Sequence, residues 1–127
     1  MTSSLKFGTS GLRGLVEDLL GAPAYAYTRA FATMIRENPD FAGARAAMIG
    51  RDLRASSPDI SALCVQAIAD AGLEPVDCGA VPTPALALAA MAAGLPAVMV
   101  TGSHIPEDRN GLKFYTPRGE IEKADEA

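Results

Sequence analysis

The sequence predicts an α/β fold in which a mainly parallel sheet, carrying one antiparallel edge strand, lies between helices. From Ala46 onward short apolar runs alternate with helical patterns across brief connections. Strands and helices in such alternation pair in parallel through right-handed crossovers. The composition agrees, because the chain is rich in Ala, Leu and Val, has 6% aromatic residues and no Trp, as suits Ala-lined helices packed on a sheet. With 127 residues the chain fits one domain, 1–127, large enough to bury a core.

Leu5 and Phe7 alternate with polar residues and run into the Gly-rich GTSGLRG, which reads as a short strand followed by a loop. From Pro23 the pattern is helical. Tyr27, Ala30, Phe31, Met34 and Ile35 build one apolar stripe at spacings of three and four, and Asn38-Pro39 ends it. Ala46–Ile49 is a buried strand that delivers Arg51 and Asp52 into a loop. Ser57-Pro58 supplies a cap and an early Pro for a helix to about Ala71, whose buried face is Ile60, Leu63, Cys64, Ala67 and Ile68. Gly72 follows where a left-handed residue is wanted. Val76–Cys78 is the next strand. Thr83-Pro84 opens a helix that Gly94 closes, Ala97–Thr101 is a strand, and Leu112–Tyr115 after the Asn110-Gly111 turn is the antiparallel edge strand. The tail GEIEKADEA has the composition of an exposed helix start that ends before it can pack, so a longer polypeptide is expected.

The formal net charge of −4 excludes a nucleic-acid footprint, which requires clustered Lys and Arg. A local basic pocket is still open to it, since Arg13, Arg51, Arg54 and Lys113 lie in or beside the motif loops. Arg109 and Arg118 read as scattered surface charge. Cys64 and Cys78 form no CxxC and read as small packed hydrophobes. No leader pattern opens the chain, and the apolar Leu86–Val100 is broken by Gly94 and Pro96, so neither export nor membrane insertion is indicated and the cytoplasm is expected.

The segment VTGSHIPEDRNGLKFY, 100–115, carries the chemistry. It sets Ser103 and His104 just beyond a buried strand, where a rigid scaffold presents a solvent-open hydroxyl. Ser103 therefore reads as a phosphoryl carrier. Serine is a weak nucleophile unless a base, cation or metal manages the charge. A phosphoryl group carried there adds about −1.5 to −2 charges, which calls for nearby cations and backbone donors; Lys113 and Arg13 are the candidate suppliers. An adjacent Ser-His pair seldom aligns as nucleophile and base, so His104 is expected to contact substrate or phosphate. Arg51, Asp52 and Arg54 read as a structural ion-pair cluster, with Asp52 orienting a loop arginine.

Taken with FGTSGLRG (7–14) and GRDLRASS (50–57), the segment resembles the first domain of the α-D-phosphohexomutases, the phosphoglucomutase and phosphomannomutase family. The resemblance implies that the corresponding serine, Ser103, is stored phosphorylated, that Lys113 is a candidate general base, and that Arg13 organises the phosphoserine surroundings. It implies interconversion of hexose 1-phosphate and hexose 6-phosphate through a hexose 1,6-bisphosphate intermediate. It also implies Mg2+ bound at the phosphate of Ser103, with the other ligands from a later domain of the same polypeptide. The nearby carboxylates are Glu107 and Asp108 alone, too few for an octahedral oxygen site. One position departs from the family pattern: Ile105 stands where Asn is usual, which bears on loop geometry rather than on serine chemistry. The chain by itself is expected to be inactive. The alternative is a non-catalytic phosphate-binding module or an isolated structural fragment of a larger protein; a serine hydrolase is set aside because there is no GxSxG elbow and no spare His.

Overall fold

The structure, a computed structural model, describes residues 6–8, 11–41, 43–102 and 109–120. Its elements in chain order are β1 (Lys6–Gly8), β2 (Gly11–Leu15), α1 (Val16–Gly21), α2 (Pro23–Glu37), β3 (Ala46–Arg51), α3 (Ser57–Asp70), β4 (Glu74–Ala80), α4 (Thr83–Ala93), β5 (Ala97–Val100), β6 (Arg109–Thr116) and β7 (Gly119–Glu120). They form one sheet in the order β1-β2-β6-β5-β3-β4, with β7 paired to β6. The α/β class holds, with a mixed rather than mainly parallel sheet. Parallel pairing joins β3 to β4 and to β5, while β1, β2, β6 and β7 are all in antiparallel pairs.

Two further expectations are corrected. The strand expected over Leu112–Tyr115 is part of β6, which lies inside the sheet, between β2 and β5, and not at its edge. Asn110 and Gly111 are not a turn but belong to β6, opposite Gly14 and Arg13 of β2. The reason is that the half of the Gly-rich segment read as loop becomes a strand: Leu12 is fully buried and pairs with the equally buried Leu112, so burial of two leucines outweighs the weak strand propensity of the flanking glycines.

The two faces of the sheet alternate along each strand, as the pleat requires. Val98, Val100, Leu112 and Phe114 enter a large core with Leu19 of α1, Phe31 and Ile35 of α2, and Ile60, Cys64 and Ile68 of α3. Phe31 and Phe114 meet at its centre, ring centroids 5.0 Å apart, and burying each such ring contributes roughly 1.5–3 kcal/mol. Ala97, Met99 and Tyr115 enter a smaller core with Leu86 and Ala90 of α4. The stripe expected on α2 is rotated: Phe31 and Ile35 are buried with Ala24, Thr28 and Ala32, whereas Tyr27 is 42% exposed. The buried side of α3 is close to expectation, with Ser61 inside and Leu63 only half-buried.

Helix ends follow the glycines. Beyond α3, Gly72 donates to the Ala69 carbonyl and Leu73 to that of Ile68; beyond α4, Leu95 donates to the Ala90 carbonyl. These bonds satisfy carbonyls that the helices leave unpaired. The opening serine of α3 does something else. Ser57 is the first helical residue and its hydroxyl turns to Asp52 rather than capping the helix.

Candidate functional site

β3 and β5 run parallel and end side by side, Arg51 opposite Val100. β6 begins at that same edge, where Arg109 pairs with Leu15 at the end of β2. The connection 52–56 and both stems of the segment that holds Ser103 therefore meet at the carboxyl edge of the parallel strands, the usual location of a site in such sheets.

Asp52 stands at the centre of that edge. Its backbone N–H donates to the Val100 carbonyl at 2.9 Å, fixing the start of the connection to the end of β5. One carboxylate oxygen, Oδ2, accepts the N–H of Gly102 at 2.9 Å and lies 3.4 Å from Nε of Arg54. The other, Oδ1, accepts the N–H of Arg54 at 3.1 Å and the hydroxyl of Ser57. Ser57 in turn accepts from Nδ2 of Asn110 at 3.0 Å, and the same Nδ2 donates to the Ser56 hydroxyl at 2.9 Å. Oδ1 of Asn110 accepts the N–H of Gly111. Asn110 and Ser57 are both fully buried, so each polar atom spent in this chain of bonds is one that would otherwise be costly to bury.

The carboxyl of Asp52 is held below the usual aspartate range. Burial alone would raise it, and the hydrogen bonds from Ser57, Gly102 and Arg54, with the guanidinium charge, outweigh that. Side-chain exposure is 11% for Arg54 and 24% for Asp52, which places the pair between the weak surface regime and the fully desolvated one. The orienting role expected for Asp52 is thus met by Arg54; among the described residues Arg51 makes no ion pair. Arg118 is the exposed surface charge expected of it, near Asp40 and over the ring of Phe41.

Lys113 is half-buried on β6 and pairs with Met99 of β5. Arg13 pairs with Gly111, whose carbonyl accepts the N–H of Thr101 at 2.9 Å. Arg13, Gly111 and Thr101 thus form one row across the sheet, with Lys113 two residues further along β6. The backbone positions of the two expected cations therefore border the strand end that leads to Ser103. Ser103, His104, Ile105, Glu107 and Asp108 lie outside the described residues, as do the side chains of Arg13 and Arg109. Among the described residues no group of three His, Cys, Asp or Glu could hold a metal, and Asp52, the carboxylate at this edge, already has both oxygens engaged.

Sequence reasoning missed Asn110 and Ser57 as parts of this site. In sequence Asn-Gly reads as a turn and Ser57 as a helix cap; it is the register of β6 against β2 and β5 that brings Asn110 to Ser57, and through Ser57 to Asp52. The two cysteines match expectation: Cys64 is buried, accepts from Thr28, and its thiol is pushed up to about 12 by burial. No helix among the described residues is long and apolar enough to cross a membrane. A surface groove of about 830 Å3 beside Tyr25, Arg29, Thr33 and Glu37 of α2 shares no residue with the site.

Residues 4–127 match the family model of the phosphoglucomutase/phosphomannomutase α/β/α domain I. The chain is 54% identical over 121 residues to a phosphomannomutase of Sinorhizobium fredii, covering 95% of this chain and 26% of that protein. It is 36% identical over 115 residues to a phosphoglucosamine mutase of Rhodococcus jostii, covering 89% of this chain and 26% of that one. Among solved structures, a phosphoglucomutase/phosphomannomutase family protein from Burkholderia thailandensis matches with a TM-score of 0.72 and 30% identity, over 87% of this chain and 26% of the other. The chain spans about a quarter of the length of the curated relatives it matches. By sequence and by fold it belongs to the phosphoglucomutase/phosphomannomutase family, as its α/β/α domain I.

Proposed function

We propose that this domain carries the phosphoserine of a cytoplasmic phosphohexomutase, with Ser103 as the phosphoryl carrier. The supporting observation is the bracing of the two residues before it: Thr101 is bonded to the Gly111 carbonyl and Gly102 to the Asp52 carboxylate, at the edge that Lys113 and Arg13 border. A carrier must return to one place after each transfer, and fixed backbone directly before it serves that need.

On this reading the bond from phosphorus to Oγ of Ser103 breaks as a bond forms to the free hydroxyl oxygen of a hexose monophosphate. The hydroxyl proton passes to the neutral amine of Lys113, which as an ammonium offsets the developing charge and then returns that proton to Oγ of Ser103. The bisphosphate then turns, and its other phosphate returns to Ser103 by the reverse exchange. Arg13 and Lys113 offset the charge spread over the transferring group, where electrostatic stabilisation does most of the work; His104 touches substrate or phosphate. Mg2+ would add charge stabilisation at the phosphate. On this reading its other ligands are supplied by a later domain of the same polypeptide, and no step is assigned to it. The chain by itself is then inactive.

The test uses the complete polypeptide. Intact mass of the wild type shows one phosphoryl group that Ser103→Ala lacks, and conversion of mannose 1-phosphate or glucose 1-phosphate falls by roughly 10³-fold or more in that variant. Undiminished turnover in Ser103→Ala overturns the proposal. A phosphorylated Ser103 without turnover of any hexose phosphate leaves a phosphate-binding module.

A further inference from the structure

The segment 103–108 follows Gly102 and leads into β6, whose second residue is Asn110, and both stems lead back to one carboxylate. Gly102 donates its N–H to Oδ2 of Asp52 at 2.9 Å. Asn110 donates its side-chain amide to the Ser57 hydroxyl at 3.0 Å, and that hydroxyl donates to Oδ1 of Asp52. Arg54 closes the arrangement from outside. Its guanidinium bonds to Oδ2 and packs so tightly on Gly102 that a Cβ there would stand 2.1 Å from Nε and 2.3 Å from Cζ. The start of α3 is the rigid body to which all of this is tied, since Ser57 is its first residue.

We propose that Asp52 is a positioning residue for phosphoryl transfer: through Gly102 on one side and through Ser57 and Asn110 on the other, it fixes the separation of the two stems that carry Ser103. This rests on the reading of Ser103 given above. Asp52 does not touch the reacting atoms. Its two oxygens do separate jobs, one for each stem, which an amide cannot duplicate because it has a single acceptor oxygen. Backbone that is over-determined in this way tolerates the gain and loss of a doubly charged phosphate next to it without shifting.

Because the effect is on geometry at the transferring group and not on sugar recognition, it falls on kcat. In the complete polypeptide, Asp52→Asn lowers kcat by about 10²-fold, the usual cost of a displacement near 1 Å at a reacting centre, and leaves KM for the hexose phosphate within about two-fold. Ser57→Ala removes the hydroxyl that joins Asp52 to Asn110, leaving Asp52 its bond to Gly102 and Asn110 its bond to Ser56, and lowers kcat by roughly ten-fold with the same unchanged KM. The double variant loses no more than Asp52→Asn alone, since both act through one network. Should Asp52→Asn fail to fold, Ser57→Ala decides the matter by itself.

A kcat within two-fold of wild type in the folded variants, a KM that rises by the factor by which kcat falls, or additive losses in the double variant overturns the proposal. Intact mass is measured on every variant. A normal phosphoryl group on Ser103 combined with unchanged kcat in Asp52→Asn and Ser57→Ala defeats the positioning role alone, whereas unchanged turnover in Ser103→Ala defeats the carrier reading beneath it.

Discussion

Gly102 shows how a residue can be read for the right reason and still be explained by the wrong one. In sequence a glycine before the critical serine suggests a turn that a side chain would obstruct. The obstruction is real, but its origin is the guanidinium of Arg54, which occupies the place where a Cβ would go, and no positive φ is involved. Replacing Gly102 with Ala pushes that guanidinium off a partly buried carboxylate, an overpacking cost of about 1–3 kcal/mol. The origin can be checked by a double-variant cycle in chemical denaturation. In an Arg54→Ala background, Gly102→Ala costs less than about 0.5 kcal/mol if the clash is the cause, and an undiminished loss there shows that backbone conformation sets the requirement.

Among the elements, those whose ends carry their own chemistry were legible. Pro near the start and Gly after the end located α3 and α4 to within a residue or two, because these residues act through local backbone geometry alone. Gly94 follows α4 at φ 69° with nothing within 4 Å of a would-be Cβ, so Gly94→Ala tests backbone geometry with no steric confusion. It lowers stability by about 1–2 kcal/mol, read as a fall in the thermal midpoint; Gly43→Ala, equally open but without a positive φ, does not. An equal response of the two positions contradicts that account. The illegible elements were the non-local ones. β2 has two leucines and two glycines in five residues, too little pattern to announce a strand, and it exists because β6 offers Leu112 as a buried partner for Leu12. The short α1 was missed because the helical pattern was read only from Pro23. Asn110 and Ser57 escaped notice for the same kind of reason: a buried polar pair between residues 53 positions apart leaves no periodic trace.

At the scale of the whole molecule the sheet is unevenly covered. Among the described residues three helices pack on one face over the core around Phe31 and Phe114, whereas α4 alone covers the other. An apolar helix in water would normally show a polar outer side, yet α4 reads TPALALAAMAA and buries only Leu86 and Ala90. Ala85, Leu88, Ala89 and Ala92 recur at the spacing of one helix face, all exposed, with Leu88 at 69% and the neighbouring Met91 at 44%. Leu53, in the connection beside Asp52, is 87% exposed as well. Apolar surface gathered this way drives association, so the 127-residue chain by itself shows a scattering mass that rises with concentration. Leu88→Lys combined with Met91→Lys abolishes that rise and, since neither side chain is in the core, changes unfolding stability by less than about 0.5 kcal/mol for each position. A wild-type chain that scatters as a monomer across the whole concentration range, or a double variant that associates as before, shows that the outer side of α4 is not the surface responsible.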